Sequence, residues 1–120
     1  MAPLPLLAAM AAFAPMVTAA PETTLNVTTT RSVAQVRMAN LTCEPAGGSH
    51  PDAEAACQLL SDVDGDLNGL RPEPGIACTM QYDPITVRLT GMWRGESRQF
   101  TATYENSCVM RAHTGPLFDV

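Results

Sequence analysis

Four cysteines, Cys43, Cys57, Cys78 and Cys108, stand behind an uncharged apolar N-terminus in a chain of 120 residues. That combination restricts the fold more than any other feature. From Met1 to about Ala20 there is no charged residue, and Leu4, Leu6, Leu7, Met10, Phe13 and Val17 supply an apolar body. Val17-Thr18-Ala19 and Thr18-Ala19-Ala20 place small residues at the spacing that signal peptidase reads. The pattern predicts a secretory signal peptide over residues 1–20 and a mature domain over residues 21–120, although no Lys or Arg stands near Met1. A membrane anchor is the rival reading, and Pro3, Pro5 and Pro15 oppose it by interrupting helical hydrogen bonding. In an exported chain an even cysteine count reads as disulfides. Four cysteines allow three pairings, and spacing alone does not choose among them. No two form C-x-x-C, which argues against zinc and against a thioredoxin-like redox site. In a domain with so limited a core, each bridge is worth roughly 2–4 kcal/mol.

The formal net charge of -5 argues against nucleic acid and anionic membranes as partners. Along the mature chain, Pro21 to Thr24 reads as a mobile polar tail. Leu25–Thr30 and Ser32–Cys43 read as strands from their β-branched content. Ser49-His50-Pro51-Asp52 opens a helix whose Ala53, Ala56, Cys57 and Leu60 share one face, with an end near Asp62 to Gly65. Asp66 to Gly75 is a turn-rich link. Ile85, Val87 and Leu89 alternate with polar residues, as do Phe100, Ala102 and Tyr104, and Trp93-Arg94-Gly95-Glu96 turns one strand into the other. The expected fold is α+β: an antiparallel sheet of about four to five strands, one or two helices on one face, and two disulfides.

Several constellations invite a chemical reading. Asp62, Asp64, Asp66, Asn68 and Glu73 match positions 1, 3, 5, 7 and 12 of a calcium-binding EF-hand loop, but Leu67 occupies the position that needs Gly, and Pro72 and Pro74 stand where the second helix would begin. An acidic helix end is the better account. His50 and His113 lack any nucleophile turn nearby, and His50, beside Pro51 at a helix start, suits packing or capping. Asn26-Val27-Thr28 and Asn40-Leu41-Thr42 fit the glycosylation pattern, which is short enough to arise by chance. The segment Gly75–Pro84 differs from these. It runs from a Gly/Pro-rich link, has Cys78 two residues before Met80, and ends at Pro84, which holds Asp83 extended. A disulfide and a proline thus bracket a short exposed loop.

That loop and its surroundings resemble the Streptomyces subtilisin inhibitor family. The resemblance rests on Leu41-Thr42-Cys43-Glu44-Pro45, His50-Pro51 with Ala56-Cys57 and Leu60, Gly65-Asp66-Leu67-Asn68, Cys78-Thr79-Met80-Gln81-Tyr82-Asp83-Pro84, Trp93-Arg94-Gly95, and Asn106-Ser107-Cys108 with Ala112-His113. Order and spacing agree from about Leu41 to Phe118; before Leu41 the match is poor. Ala77 is smaller than the residue often found in its place, and Gln81 replaces an apolar one.

The resemblance implies the pairs Cys43–Cys57 and Cys78–Cys108. It implies a reactive-site bond between Met80 and Gln81, a protease-contacting loop of Ala77, Cys78, Thr79, Tyr82 and Asp83, and support from Pro84 and Asn106. The implied protein is a secreted, extracellular inhibitor of serine proteases, subtilisin-like first and chymotrypsin-like second. It would be a homodimer through its sheet, with no cofactor, no metal and no enzymatic activity. The alternatives are a non-inhibitory binding module on the same scaffold and, lacking a catalytic constellation, a small hydrolase.

Overall fold

The computed structural model of the protein describes residues 2–5 and 22–120. Apart from residues 2–5, the leader expected over residues 1–20 lies outside the described residues. Among the described residues no helix is long and apolar enough to cross a membrane.

The elements in chain order are β1 (Thr23–Thr30), β2 (Val36–Cys43), α1 (Ala53–Asp62), a single 3-10 turn (Leu67–Gly69), β3 (Ile85–Trp93), β4 (Glu96–Tyr104) and α2 (Ser107–Thr114). The four strands form one antiparallel sheet in the order β2-β1-β3-β4. β1, rich in β-branched residues, pairs on both edges, with β2 and with β3. Thr23, Leu25, Val27 and Thr29 point into the core, and Thr24 and Asn26 point outward to solvent. Gly91 of β3 meets β1 so closely that a Cβ there would collide with the Thr24 carbonyl. The inward side chains Leu25, Val27, Leu41, Val87 and Leu89 form one apolar layer, which Leu60, Met110, Leu117 and Phe118 cover. α1 packs over β2, and α2 beside β4.

Two expectations from the sequence need correction. The N-terminal segment is no tail from Glu22 onward. Thr23 is buried, its Oγ1 accepts a hydrogen bond from the Arg94 N–H (3.0 Å), and the Gly95 N–H donates to the Glu22 carbonyl (3.0 Å). A polar Thr sits comfortably in the core because the β3–β4 turn satisfies its hydroxyl. The second strand begins at Val36 rather than Ser32. Residues Arg31 to Gln35 close a turn, with Arg31 N–H donating to the Gln35 carbonyl and Gln35 N–H to the Ser32 carbonyl. The helix expected after Ser49 and the hairpin about Trp93–Glu96 stand where the periodicity puts them. The acidic run after α1 is occupied by protein partners. The Asp62 carboxylate accepts from Gln58, that of Asp66 accepts from the Asn68 N–H, and that of Asp64 accepts from the Trp93 indole.

Both disulfides are formed, Cys43–Cys57 and Cys78–Cys108, each with Cα atoms 5.7 Å apart. The first fastens α1 to the end of β2 and the second fastens α2 to the chain before β3. Their sequence separations of 14 and 30 residues correspond to chain-entropy stabilisation of about 3 and about 3.5 kcal/mol.

His50 locks the start of α1 to the C-terminal segment. It is buried, its Nε2 lies 2.8 Å from the Leu117 carbonyl, and its Nδ1 lies 3.0 Å from the Asp52 amide nitrogen. A carbonyl only accepts and an amide N–H only donates, so the ring is neutral with its proton on Nε2. His50→Ala leaves both backbone groups without partners and should cost about 1–3 kcal/mol. Urea unfolding should show a lower midpoint with an unchanged slope.

Candidate functional site

From Leu70 to Pro84 the chain has no regular secondary structure, yet it is tied down at several points. The Glu73 N–H donates to the Ala112 carbonyl at the end of α2 (2.8 Å). Cys78 is bonded to Cys108 in the first turn of α2. The Asp83 N–H donates to the Glu105 carbonyl (2.9 Å), which aligns the last loop residues with the chain leaving β4. Pro84 then delivers the chain into β3, and Ile85 is buried.

Between Cys78 and Asp83 the loop is held from behind by one side chain. Asn106 is 7 % exposed, and its Nδ2 donates to the carbonyls of Thr79 (3.1 Å) and Gln81 (2.8 Å). These two carbonyls flank Met80. The Asn106 Oδ1 accepts from the Val109 N–H (2.9 Å) and so caps α2. Asn is suited to both tasks: its carbonyl is a preferred helix N-cap acceptor, and its amide supplies two donors.

The side chains at the loop tip face solvent. Met80 is 94 % exposed and Tyr82 78 % exposed. Ala77, Thr79, Gln81 and Asp83 are exposed as well, and Cys78 and Pro84 are half-buried. Two large apolar side chains are thus offered to solvent on a fastened backbone, the reverse of what folding alone favours. Tyr104, near the end of β4, packs against His113 of α2 with ring centroids 5.3 Å apart. Burial raises the Tyr104 phenol above its ordinary pKa, keeping it neutral. Every residue assigned to the loop from the sequence therefore lies on one continuous segment, with Asn106 beneath it. His50 is part of the core and not of this segment. Sequence reasoning did not find the Glu105 carbonyl, the Ala112 carbonyl or Arg31, whose guanidinium lies 3.6 Å from the Asp83 carboxylate. The first two are backbone groups with no side-chain signal, and the third is a pairing between distant segments. The segment around Cys108 is a helix, α2, and Asn106 before it is the N-cap signal that marks it.

Comparison with known proteins agrees with this fold. A family model described as subtilisin inhibitor-like matches residues 19–106. The chain belongs to the subtilisin inhibitor-like family. The match begins well before Leu41, so the family's likeness includes β1, which the motif comparison undervalued. Among relatives of this inhibitor-like chain, a subtilase-type protease inhibitor of Streptomyces fradiae is 48 % identical over 91 residues. That alignment covers 73 % of this chain and 63 % of the relative, so the inhibitor-like chain spans less than two thirds of that protein's length. Subtilisin inhibitor-like protein 5, also from Streptomyces fradiae, is 41 % identical over 91 residues, covering 75 % of this chain and 85 % of the relative. Among solved structures, Streptomyces caespitosus sermetstatin in complex with Bacillus licheniformis subtilisin superposes with a TM-score of 0.66 at 33 % identity, covering 81 % of this chain and 97 % of that one.

The double duty of Asn106 makes its two roles separable. Asn106→Asp keeps the cap acceptor for Val109 but cannot donate to Thr79 and Gln81. Asn106→Ala loses both and adds the cost of an uncapped helix, about 1 kcal/mol. Limited digestion should cut both variants at Met80-Gln81 faster than the parent, and both should show a lower urea midpoint, the Asp variant because it sets a buried carboxylate oxygen against two carbonyl oxygens. Cleavage of the Asp variant at the parent rate would show that the amide does not hold the loop.

Proposed function

We propose that the protein is a secreted inhibitor of subtilisin-like serine proteases, not an enzyme, that offers the Met80-Gln81 bond as a substrate it scarcely allows to be hydrolysed. The observation that carries this reading is the contrast at residue 80: a side chain 94 % exposed on a backbone whose neighbouring carbonyls are both bound by Asn106. The family membership and the sermetstatin–subtilisin complex support it, as does the leader-like N-terminus for export.

Met80 would enter the primary pocket of the protease. Its unbranched, polarizable side chain fills apolar pockets of varied shape, so subtilisin-like enzymes come first and chymotrypsin-like ones second. Ala77, Cys78 and Thr79 would lie along the enzyme on one side of the bond, and Tyr82 and Asp83 on the other, paired as an added strand. A flexible peptide loses conformational freedom on binding, and this loop has already lost it. In the reaction the enzyme's serine oxygen attacks the Met80 carbonyl carbon. The Met80-Gln81 bond breaks, an ester forms, and the proton leaves with the Gln81 amine. Because Pro84 and β3 hold that amine nearby, it competes with water for the ester at an effective molarity on the order of 10⁵ M or more. Re-attack restores the peptide bond and the free serine.

A second copy of the chain would sit on the outer face of the sheet, where Val36, Met38 and Met92 share a side with Thr24, Thr28 and Thr30 and are 49 %, 72 % and 41 % exposed.

Titration of subtilisin with the purified, oxidised protein should abolish its activity at one inhibitor site per enzyme. Full retention of activity would favour a non-inhibitory binding module. Met80→Lys should transfer inhibition toward trypsin, because a trypsin-like pocket seeks a cation. An unchanged target profile would remove Met80 from its assigned role. Replacing Cys78 and Cys108 together by Ser should turn the loop into an ordinary substrate, read as rapid cleavage by subtilisin of a domain that is still folded.

A further inference from the structure

The fastenings of the loop are unequal on the two sides of residue 80. On the N-terminal side Cys78 is anchored covalently, two residues away. On the C-terminal side, Gln81 to Asp83 have no covalent tie short of the strand that begins at Ile85. They are held by the Asn106 bond to the Gln81 carbonyl, by the Asp83 N–H bond to Glu105, and by one side-chain contact, Arg31 to Asp83 at 3.6 Å. We propose that Arg31 is a positioning residue for the leaving-group half of the loop, holding Gln81 in register for resynthesis of the peptide bond. The inference rests on Met80-Gln81 being the bond that proteases attack.

Arg31 is well placed for this. β1 and β3 are antiparallel with Thr30 opposite Thr86. Continuing that register sets Arg31 opposite Ile85, two residues from Asp83. The backbone at Arg31 is itself fixed, because its N–H donates to the Gln35 carbonyl (3.1 Å) and the turn is closed by the bond from Gln35 N–H to the Ser32 carbonyl (3.0 Å). Arg31 borders an open cleft also lined by Arg37, Arg111 and Phe118. Among the described residues, Asp83 is its one ion-pair partner.

The consequence lies in the cleaved form. Cutting Met80-Gln81 frees the new amine end to explore more conformations, and each residue so released gains on the order of 1–2 kcal/mol of backbone entropy, which favours the cut state. A contact that persists at Asp83 limits that gain. It also keeps the amine near the ester, from which the peptide bond re-forms with loss of a proton from the amine and return of one to the serine oxygen. An exposed pair contributes little to global stability, so the effect belongs to the loop and not to the fold.

The test follows the ratio of cleaved to intact inhibitor. Intact and pre-cleaved protein are each incubated with a catalytic amount of subtilisin until both reach the same ratio. Arg31→Ala and Asp83→Asn should each raise the cleaved fraction relative to intact by about two- to five-fold, the range of an exposed ion pair. The double variant should be no worse than either single one, since both remove the same contact. Arg31→Lys should stay near the parent, high salt should erase the difference, and urea midpoints should agree for all variants. An unchanged ratio for Arg31→Ala, or additive effects in the double variant, would overturn the proposal while leaving inhibition by the parent protein intact. Failure of the parent protein itself to inhibit would instead overturn the reading on which the inference rests.

Discussion

The side-chain amide of Asn106 joins two parts of the molecule that would otherwise be oriented independently. Its oxygen closes the first turn of α2 and its nitrogen reaches the carbonyls on either side of Met80. An amide group is planar and rigid, so the direction of the helix axis fixes the direction from which the loop is held. The group is also buried, and a buried donor without an acceptor is costly. The two loop carbonyls therefore stabilise Asn106 as much as Asn106 stabilises them. Neither the helix start nor the loop tip can shift without stranding polar atoms of the other.

Behind that amide stands a chain of supports. α2 is fixed by Met110 in the core and by the Cys78–Cys108 bridge, and the C-terminal segment after it is fixed by Leu117 and Phe118. The Leu117 carbonyl is in turn bound by His50 at the start of α1, which the Cys43–Cys57 bridge secures to β2. The sheet, the two helices and the loop are thus connected through a short series of buried contacts. The sheet bears the apolar layer, and the irregular segment is fastened to α2 and to the chain leaving β4. Ordering that segment costs conformational entropy. The folding of the rest of the domain meets that cost before any partner arrives.

How much of this was legible in the sequence depended on the range of the interaction. Alternation of Ile85, Val87 and Leu89 against polar neighbours, and the helical spacing of Ala53, Ala56 and Leu60, are local signals, and they located β3 and α1. Cys78 and Pro84 bracketed the loop by chemistry that any reader of the chain can see. Thr23 misled because a threonine near a polar N-terminus looks like tail; its hydroxyl is satisfied by Arg94, far along the chain. Val33 and Val36 suggested one continuous strand, and the turn at residues 31–35 interrupts it through backbone bonds that carry no composition signal. The second helix, allowed for in the expected one or two, was not placed at α2 because the segment is only eight residues long and polar on average, although Asn106 was present as a cap. The disulfide pairing became legible only through family resemblance, since spacing left three choices. The Arg31–Asp83 contact joins segments far apart in the chain and had no sequence signature at all.

The fastenings next to Met80 share one chemical property. Thr79 and Gln81 are held through their backbone carbonyls, and the Met80 and Tyr82 side chains take part in no hydrogen bond found among the described residues. Backbone groups are common to every amino acid except for the missing N–H of proline. Substitution at residue 80 therefore leaves the loop's supports in place. For an inhibitor this separates two demands that an ordinary substrate confounds. On the proposed reading, the choice of protease would follow from one exposed side chain, and resistance to hydrolysis from backbone groups held independently of it. Altering residue 80 would then change the target while the Asn106 amide still holds the carbonyls of Thr79 and Gln81.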